Sequence, residues 1–589
     1  MLVMAVACFR ADRPRALASL GLRATGAVSG PVFAAALAAL VTSARPGVEL
    51  RSSIAAAALL AATLGAQIVL EELGWKVTQV LEERTAHHVD LQILDMVASL
   101  PDLEHIERAE NLDKIERIRQ EGWLLSMSVP ALLNLTVVLL RIGVSVALLA
   151  TVHPLLLLLP VFAVPSLVAG AKAERIRVLA MDERQHNYRR VHDLQRMARN
   201  SGPAKEVRVF GLGPEILRRH RAESDDLAAW ERSHRLRGAR MVSAGRAVFV
   251  LGYVGAIWFV ASAVSAGRLG VDDLVLTIVL AGQVMGLLSG ATNNANWVAW
   301  TMTAVRRYVW LLDYVAGRPG ALPGGVEPPA RLHQGIRLDN VSFRYPGTDT
   351  DVLTGVDLDL AAGSTVAIVG DNGAGKTTLV KLLGRFYEPT GGRITVDGVG
   401  LDTIDVVAWR RRMGAAFQDH ARLELLARTA VGVGELSLLE DEAAPLAALE
   451  RAGTADLIRA LPAGMDTQLG PDWPAGVELS GGEWQKVALG RGMMRETPLL
   501  LVLDEPTAAL DAETEHRLYD RYAVAARAAA DAVGAITVLV SHRFSTVRMA
   551  DVIIVIAGGR IVERGTHDEL LVANGTYAEL YRMQARAYQ

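Results

Sequence analysis

The sequence predicts a chain in two parts, an N-terminal all-α membrane domain followed by a C-terminal α/β domain. The first half holds six apolar stretches, each near the 20 residues that a membrane helix needs. A Gly- and Pro-rich segment over 316–330 then marks a boundary, and beyond it short β-rich runs alternate with helical stretches. We therefore expect a transmembrane domain over 1–318, a linker over 319–332 and a second domain over 333–589.

The composition fits two unlike halves and excludes several classes of function. Apolar residues make up 51% of the 589 residues and charged residues 21%. The net charge of −3 gives no basic excess that would attract nucleic acid, and we expect no nucleic-acid partner. Cys8 is the single cysteine, so an intrachain disulfide and a thiolate metal cluster are both excluded. The basic residues of the N-terminus follow its short apolar run, which favours a cytoplasmic tail over a signal peptide.

The six apolar stretches and the segments between them predict a topology. The expected spans are 24–44, 53–72, 127–150, 154–172, 246–267 and 274–296. The connections near 73–126 and 173–245 are long, rich in Arg and Glu, and carry more Lys and Arg than the short connections, so the positive-inside rule places them in the cytoplasm. Both chain ends then lie inside. Apolar residues at helical spacing predict that these long connections are helices that leave the bilayer and turn at "SLPD" and "SGPA".

A glycine-rich loop follows the first strong β-run of the second domain. Residues 370–377 read G-x-x-x-x-G-K-T, between the apolar run 366–369 and a helical stretch. In this context backbone N–H groups and a helix N-terminus bind phosphate, the Lys376 ammonium reaches the β- and γ-phosphates, and the Thr377 hydroxyl ligates Mg²⁺. The expected phosphate-contacting residues are Gly370, Asp371, Asn372, Gly373, Ala374, Gly375, Lys376, Thr377 and Thr378.

A second apolar run, "LLVL", ends in the acidic pair Asp504 and Glu505. Beside a phosphate-binding loop, Asp504 can hold Mg²⁺ through water and Glu505 can accept a proton from the attacking water.

Together with further motifs, this sequence resembles the ABC transporter superfamily, in its exporter-type half-transporter layout of six spans and one ATPase domain. "LSGGE" at 479–483 resembles the signature motif of the family, and Asp511 matches its D-loop. Gln418 and His542 match the Q-loop and the switch histidine, and Tyr345 matches the aromatic residue that stacks on adenine.

The resemblance implies an ATPase that works as a dimer with ATP and Mg²⁺. Each ATP would lie between the phosphate loop of one chain and the signature residues Ser480, Gly481 and Gly482 of the other. The dimer would be a homodimer, or a heterodimer with a second half-transporter. The implied catalytic residues are Glu505, His542, Gln418 and Lys376, and the implied metal ligands are Thr377, Gln418 and Asp504. The "SLPD" and "SGPAKEV" segments would be coupling helices.

The resemblance also implies a fold and a location. The fold would be an ABC exporter membrane domain plus a P-loop ATPase domain with a helical signature subdomain, in the plasma membrane of a bacterial-type cell. Membrane lipid would surround it and the ATPase domain would face the cytoplasm. Glu483 departs from the commoner Gln, and "LSGGxWQK" is similar to exporters of lantibiotics. The cargo would be such a peptide, a lipid or a drug. An importer on the exporter fold and an ATP-gated channel or sensor stay open as alternatives.

Overall fold

The computed structural model describes residues 2–43, 50–318, 324–505, 512–541 and 543–587, which form two compact units. One unit comprises Met1–Met96 and Lys114–Asp313, and the other comprises Val97–Asp113 and Tyr314–Gln589. The short segment Val97–Asp113, which interrupts the first unit in sequence, therefore belongs to the second unit. Of the predicted linker, 319–323 lies outside the described residues, and Leu332 at its end is buried in the core of the second unit.

The first unit is helical. The helices of the N-terminal half of the chain, of which α4 belongs to the second unit, are α1 (Leu2–Ala11), α2 (Arg13–Ser43), α3 (Leu50–Ser99), α4 (Glu104–Glu107), α5 (Ala109–Gln120), α6 (Gly122–Val152), α7 (Leu159–Glu183), α8 (Gln185–Arg199), α9 (Ser201–Val209), α10 (Gly213–Ser265) and α11 (Val271–Ala316). Among the described residues, six helical segments are long and apolar enough to cross a membrane. Each overlaps one of the six spans predicted from the sequence, so the prediction of six spans is confirmed, although 246–267 runs two residues beyond the helix end at Ser265.

These helices continue far beyond their apolar stretches. Helix α3 has 50 residues and α10 has 53, because amphipathic sequence extends each span into the long charged connections. Helices α7 and α10 pack closely where small residues allow it. A Cβ on Gly245 would lie 2.6 Å from the Ser166 Cα, so only glycine permits this approach. The predicted break at "SLPD" falls between α3 and α4, whereas "SGPA" forms the start of the short helix α9 and the chain breaks at Asn200 before it.

The second unit contains two sheets. Its strands are β1 (Gly335–Phe343), β2 (Leu353–Ala361), β3 (Thr365–Val369), β4 (Gly391–Val396), β5 (Val399–Gly400), β6 (Met413–Ala416), β7 (Leu500–Asp504), β8 (Ile536–Val540), β9 (Val552–Ala557) and β10 (Arg560–Gly565). An antiparallel sheet has the order β2-β1-β4-β5, and a second sheet has the order β10-β9-β3-β8-β7-β6. In the second sheet β9, β3, β8, β7 and β6 run parallel, and β10 is antiparallel to β9.

Helices cover these sheets and build a separate small subdomain. The helices of the second unit are α12 (Lys376–Leu383), α13 (Val406–Arg411), α14 (Ala427–Gly432), α15 (Ala444–Arg451), α16 (Asp456–Ala460), α17 (Gly481–Gly492), α18 (Ala512–Val533), α19 (Phe544–Val547), α20 (His567–Ala573) and α21 (Thr576–Ala587). Helices α14 to α17 share their own apolar core around Leu449 and Trp484. The predicted α/β domain with a helical signature subdomain is therefore present.

Candidate nucleotide site

A cavity of about 900 Å³ lies at the carboxyl ends of β3, β7 and β8. The carboxyl ends of parallel strands are where open α/β sheets bind ligands, so this position suits a nucleotide. Most of the candidate residues from the sequence line it: Tyr345, Gly370, Asp371, Asn372, Gly373, Gly375, Lys376, Thr377, Thr378, Gln418, Asp504 and Glu505. Ala374 is buried within the same loop. Residues that are far apart in sequence thus meet at one cavity.

The glycine-rich loop has the backbone conformation of a phosphate-binding loop. Gly373 and Gly375 have φ angles of 80° and 106°, in the left-handed region that favours glycine. A Cβ on Gly375 would lie 2.7 Å from Leu353 Cδ2. The positive φ and this close contact therefore both exclude a residue larger than glycine at this position. Helix α12 begins directly after the loop at Lys376, and its free N–H groups and dipole favour an anion at this end.

Lys376 is held inside the loop. Its Nζ donates hydrogen bonds to the backbone oxygens of Gly370 (2.8 Å) and Asp371 (2.9 Å), and the residue is 8% exposed. Burial lowers the pKa of the Lys376 ammonium, while the carboxylates of Glu505 and Asp504 act in the opposite direction. Among the described residues, the hydrogen-bond partners of this ammonium are backbone carbonyls, which a phosphate group can replace.

Asp504 is a buried carboxyl at the end of β7. It is 3% exposed, and its Oδ1 has no hydrogen-bond partner among the described residues. Burial raises the pKa of Asp504 to about 6, and the neighbouring carboxylates of Glu505 and Asp419 add to this rise. A buried oxygen without a partner is costly unless a ligand satisfies it. Together with the Thr377 hydroxyl and the Gln418 side chain, which line the same cavity, it forms an oxygen-rich donor set that fits Mg²⁺.

Glu505 has a strained backbone that places its carboxylate beside Gln418. Its φ is 46°, which is uncommon for a non-glycine residue and is often found at functional sites. The backbone N–H of Glu505 donates to the Val540 oxygen (2.8 Å), and Gln485 Nε2 donates to the Glu505 backbone oxygen (2.9 Å). Gln418 Nε2 donates to Glu505 Oε2 at 2.9 Å. Contacts on β8 and α17 thus fix the main chain and leave the carboxylate facing the cavity.

Tyr345 forms an aromatic wall of the cavity. Its ring packs edge-on against Phe343 and Tyr387, with centroid distances of 4.9 and 5.3 Å. Its hydroxyl shares a hydrogen bond with the Thr378 hydroxyl (3.1 Å). The ammonium of Lys381 lies 5.4 Å from the ring centroid. The ring is therefore oriented by several neighbours.

The signature residues form a different feature. Ser480 is the N-cap of α17, and its side chain and that of Glu483 form a reciprocal capping box. Glu483 Oε2 accepts hydrogen bonds from the Ser480 N–H (2.7 Å) and hydroxyl (2.8 Å), and these bonds lower the pKa of Glu483. Among the described residues that line the nucleotide cavity, none comes from 480–482. Ser480, Gly481 and Gly482 therefore do not join the phosphate loop within one chain.

Two motif residues cannot be placed, and six lining residues, among them Val352, Val369 and Val540, were not predicted as site residues. His542 and Asp511 lie outside the described residues. The cavity is also lined by Phe544, Leu580 and Met583. Phe544 follows the "SHR" motif closely and could have been suspected from that motif. Leu580 and Met583 belong to α21, far away in sequence, and nothing in their local pattern distinguishes them from core residues.

Comparison with known proteins agrees with this architecture. A family model described as ABC transporter matches residues 353–508. The chain is 31% identical over 408 residues to an ATP-dependent lipid A-core flippase of Chromohalobacter salexigens, covering 67% of this chain and 68% of that protein. It is 38% identical over 285 residues to the protein of the same description from Burkholderia orbicola, covering 48% and 45%.

Two further similarities extend the comparison. The cyclolysin secretion/processing ATP-binding protein CyaB of Bordetella pertussis is 34% identical over 335 residues, covering 56% of this chain and 44% of that protein. The matched region thus spans about half the length of several curated relatives. A solved structure described as a bacterial Atm1-family ABC exporter with ATP bound has a TM-score of 0.78 at 24% identity, covering 97% and 98% of the two chains.

The fold and the relatives lead to one assignment. The structural similarity extends over both units and shows that the chain has the fold of that exporter, with six candidate membrane helices in its N-terminal half. The family match falls in the second unit and identifies it as the ATPase domain, on the cytoplasmic side of the membrane. This chain is a multi-pass membrane protein that belongs to the ABC transporter family.

Proposed function

We propose that the protein is an ATP-driven exporter that moves an amphipathic cargo, a lipid or a peptide, across the membrane. The observation that carries this proposal is the joining, in one chain, of six membrane-spanning helices to a cavity where Lys376, Asp504 and Glu505 converge. The relatives are described as flippases for a lipid and as a secretion protein, which supports an amphipathic cargo moved outward.

The residues of the cavity have different roles in the binding and hydrolysis of ATP. The loop N–H groups and Lys376 bind the phosphates, and Tyr345 stacks on the base. Thr377, Gln418 and Asp504 would hold Mg²⁺, which supplies charge neutralisation at the phosphates when bound. Glu505 accepts a proton from the attacking water, and Gln418 positions its carboxylate through the 2.9 Å hydrogen bond. His542 is assigned from its motif to the γ-phosphate.

A dimer completes the site. Ser480, Gly481 and Gly482 lie outside the cavity of their own chain, whereas their position at the N-terminus of α17 suits phosphate oxygens. We infer that this helix end contacts ATP held by the phosphate loop of a second chain. Two copies would then enclose two nucleotides, and ATP binding would close the dimer while hydrolysis opens it.

The segment Val97–Asp113 provides a path from the ATPase site toward the membrane helices. Glu107 accepts hydrogen bonds from Lys381 Nζ (2.7 Å) and the Tyr387 hydroxyl (2.6 Å). Arg410 Nη2 donates to the Pro101 oxygen (2.5 Å). Lys381 belongs to α12, the helix that begins at the phosphate loop, and it also faces the Tyr345 ring. A movement of α12 on nucleotide binding would therefore reach the end of α3 through this segment.

Transport in inside-out vesicles tests the proposal. The purified protein is reconstituted, and uptake of fluorescent lipids and of modified peptides is measured with ATP, with ADP and with the Glu505→Gln variant. ATP-dependent accumulation inside these vesicles, absent in the variant, is the expected result. Steady ion conductance without accumulation would contradict the exporter hypothesis and favour a channel. ATP-dependent loss of preloaded cargo would contradict it and favour an importer.

A further inference from the structure

Helices α7 and α10 form a closely packed pair whose relative level is fixed by contacts between small residues. A Cβ added to Gly238 on α10 would lie 3.2 Å from the Ala173 Cβ on α7. Gly245 and Ser166 approach even more closely further along the pair. Residues next to Ala173 on α7 and residues next to Gly238 on α10 therefore lie at the same level.

Each helix of the pair has an exposed apolar face within its predicted span. On α7, Val161, Val164 and Val168 are 60%, 49% and 59% exposed, and their spacing of three and four residues places them on one face. On α10, Leu251 and Trp258 lie seven residues apart, close to two turns, and each is 73% exposed. Because the chain spans a membrane, exposed apolar side chains along a span contact the lipid tails.

On α7 this exposed face changes from apolar to basic at Lys172. Lys172 and Arg175 lie four and seven residues after Val168, so they continue the same face, and both side chains are exposed. The predicted span 154–172 ends at Lys172. The change therefore falls where the hydrocarbon of the bilayer gives way to the headgroups of the cytoplasmic leaflet.

The same change occurs on α10. Arg240 and Arg237 lie eleven and fourteen residues before Leu251, close to three and four turns, and both side chains are exposed. The predicted span 246–267 begins six residues after Arg240, about 9 Å along the helix. These two cations flank Gly238 as the two on α7 flank Ala173, so all four lie at one level. The basic band consists of Lys172, Arg175, Arg237 and Arg240.

No carboxylate neutralises the basic band within the part of the chain that the structure describes. None of its four side chains has a hydrogen bond or an ion pair there. Arg235 on the same helix differs, because it pairs with Glu231 at 2.6 Å. Glu174 lies between Lys172 and Arg175 in sequence, but it is half-buried and lines the cavity between α7, α10 and α11. The band therefore presents four positive charges to its surroundings.

We propose that the basic band binds the headgroups of anionic phospholipids in the cytoplasmic leaflet. The guanidinium groups can bind phosphate oxygens in pairs, and the apolar face above the band contacts the tails of the same lipids. Basic clusters directly on the cytoplasmic side of a membrane helix are attracted to anionic lipid. A zwitterionic lipid has no net charge and is held less tightly. The helix pair thus gathers anionic lipid around itself, whatever molecule the protein transports.

Fluorescence quenching in nanodiscs measures which lipid lies against this face. A fluorophore is attached through Ala247→Cys in the Cys8→Ser background, because Ala247 is exposed on α10 between the band and Leu251. The full-length protein is placed in mixtures of phosphatidylglycerol and phosphatidylcholine in which one lipid or the other carries brominated tails. The two quenching curves give the ratio of the lipids beside the fluorophore, relative to their ratio in the bilayer as a whole.

Phosphatidylglycerol should be enriched at least about fivefold beside the unchanged protein, since each basic residue near the membrane surface contributes about that factor. Sodium chloride at about 1 M should weaken the enrichment, because it screens exposed charges. Arg237→Lys together with Arg240→Lys keeps the charge and should keep the enrichment. When glutamine replaces all four residues of the basic band, the local lipid ratio should equal the bulk ratio.

Arg218→Gln together with Arg221→Gln is the matched control. Both arginines are exposed on α10, at least sixteen residues and about 24 Å from Arg237. Their replacement removes as much charge as Arg237→Gln together with Arg240→Gln. The enrichment should persist in the control and fall at least about fivefold in the band variant. Elution of each variant as one symmetric gel-filtration peak shows that it is folded.

Four results would overturn the proposal. The first is an equal preference of the unchanged protein for phosphatidylglycerol and phosphatidylcholine, and the second is an enrichment that survives replacement of all four cations. The third is the absence of quenching by either brominated lipid, which would show that a second chain covers this face. The fourth is displacement of phosphatidylglycerol by inorganic phosphate beyond the effect of sodium chloride at equal ionic strength, which would assign the band to a free anion.

Discussion

The phosphate loop leads into the N-terminus of α12 and the signature motif leads into the N-terminus of α17, but the polar groups at the two helix ends have different partners. At the start of α12, Lys376, Asp504 and Glu505 converge on a cavity, and a buried Asp504 oxygen has no partner among the described residues. At the start of α17, the Ser480 and Glu483 side chains satisfy each other in a capping box. The N-terminus of α12 thus lies beside polar groups that a ligand can satisfy, whereas the polar side chains at the N-terminus of α17 already satisfy each other. Under the proposed function, these two helix ends are two halves of a site that two chains complete.

The largest expected effect falls on the phosphate-loop half. Glu505→Gln keeps the size of the side chain and removes the base, so ATP turnover should fall by about 10²–10⁴-fold. ATP binding should persist or tighten, because a negative charge beside the nucleotide is lost. Lys376→Ala is the contrasting variant, since it removes the phosphate-binding cation and should weaken binding itself. ATP turnover and equilibrium binding of a fluorescent ATP analogue separate the two outcomes. Turnover near that of the unchanged protein would contradict the role of Glu505.

Tyr345 tests whether the ring or the hydroxyl binds the base. Stacking on an aromatic ring contributes about 1–3 kcal/mol, so Tyr345→Ala should raise the KM for ATP by about 5- to 150-fold. Tyr345→Phe loses only the hydrogen bond to Thr378 and should have a much smaller effect, while kcat changes little in both. Steady-state kinetics over a range of ATP concentrations provides the measurement. Equal damage by the two variants would assign the effect to the hydroxyl.

A fall in pH should protonate Asp504 beside the phosphate loop before it protonates Glu483 at the N-terminus of α17. The pKa of Asp504 is raised to about 6, so this carboxyl becomes protonated as the pH falls through 6, and Mg²⁺ must then compete with a proton. Below pH 6, Mg²⁺-dependent ATP affinity should decline by about tenfold per pH unit. Hydrogen bonds lower the pKa of Glu483, so its capping box stays ionised over the same range. The Asp504→Asn variant should bind ATP with Mg²⁺ weakly at all pH values, and its affinity should lack the decline below pH 6. A step of equal size in that variant would assign the proton to another group.

The smallest expected effect on ATP turnover comes from substitution of Glu483 in the signature motif. Glu483→Gln can still accept both hydrogen bonds from Ser480, so it should leave ATP turnover within about twofold, whereas Glu483→Ala breaks the cap at a cost of about 1 kcal/mol. That cost falls on the stability of the N-terminus of α17, so ATP turnover should fall more in Glu483→Ala than in Glu483→Gln. Parallel turnover measurements on the two variants decide the point. Strong loss in Glu483→Gln would show that the charge, and not the cap, is needed.

The sequence anticipated those features that depend on local pattern. The six spans were predicted from apolar length, and the phosphate loop from its glycines and its place between a strand and a helix. The capping box was not predicted, although Ser480 followed three residues later by Glu483 is the pattern typical of such a box. The positive φ of Glu505 and the lining by Leu580 and Met583 were not predicted, because they arise from contacts between elements distant in sequence.

The central claim is that ATP lies between the phosphate loop of one chain and the signature helix of another. Disulfide cross-linking tests it, in a Cys8→Ser background, with one cysteine at the exposed Asn372 and one at the exposed Glu478. In Glu505→Gln, ATP should produce a cross-linked dimer in high yield, and ADP should not. With Lys376→Ala added, the ATP-dependent product should disappear. A cross-link that forms equally without nucleotide, or only within a single chain, would contradict the shared site.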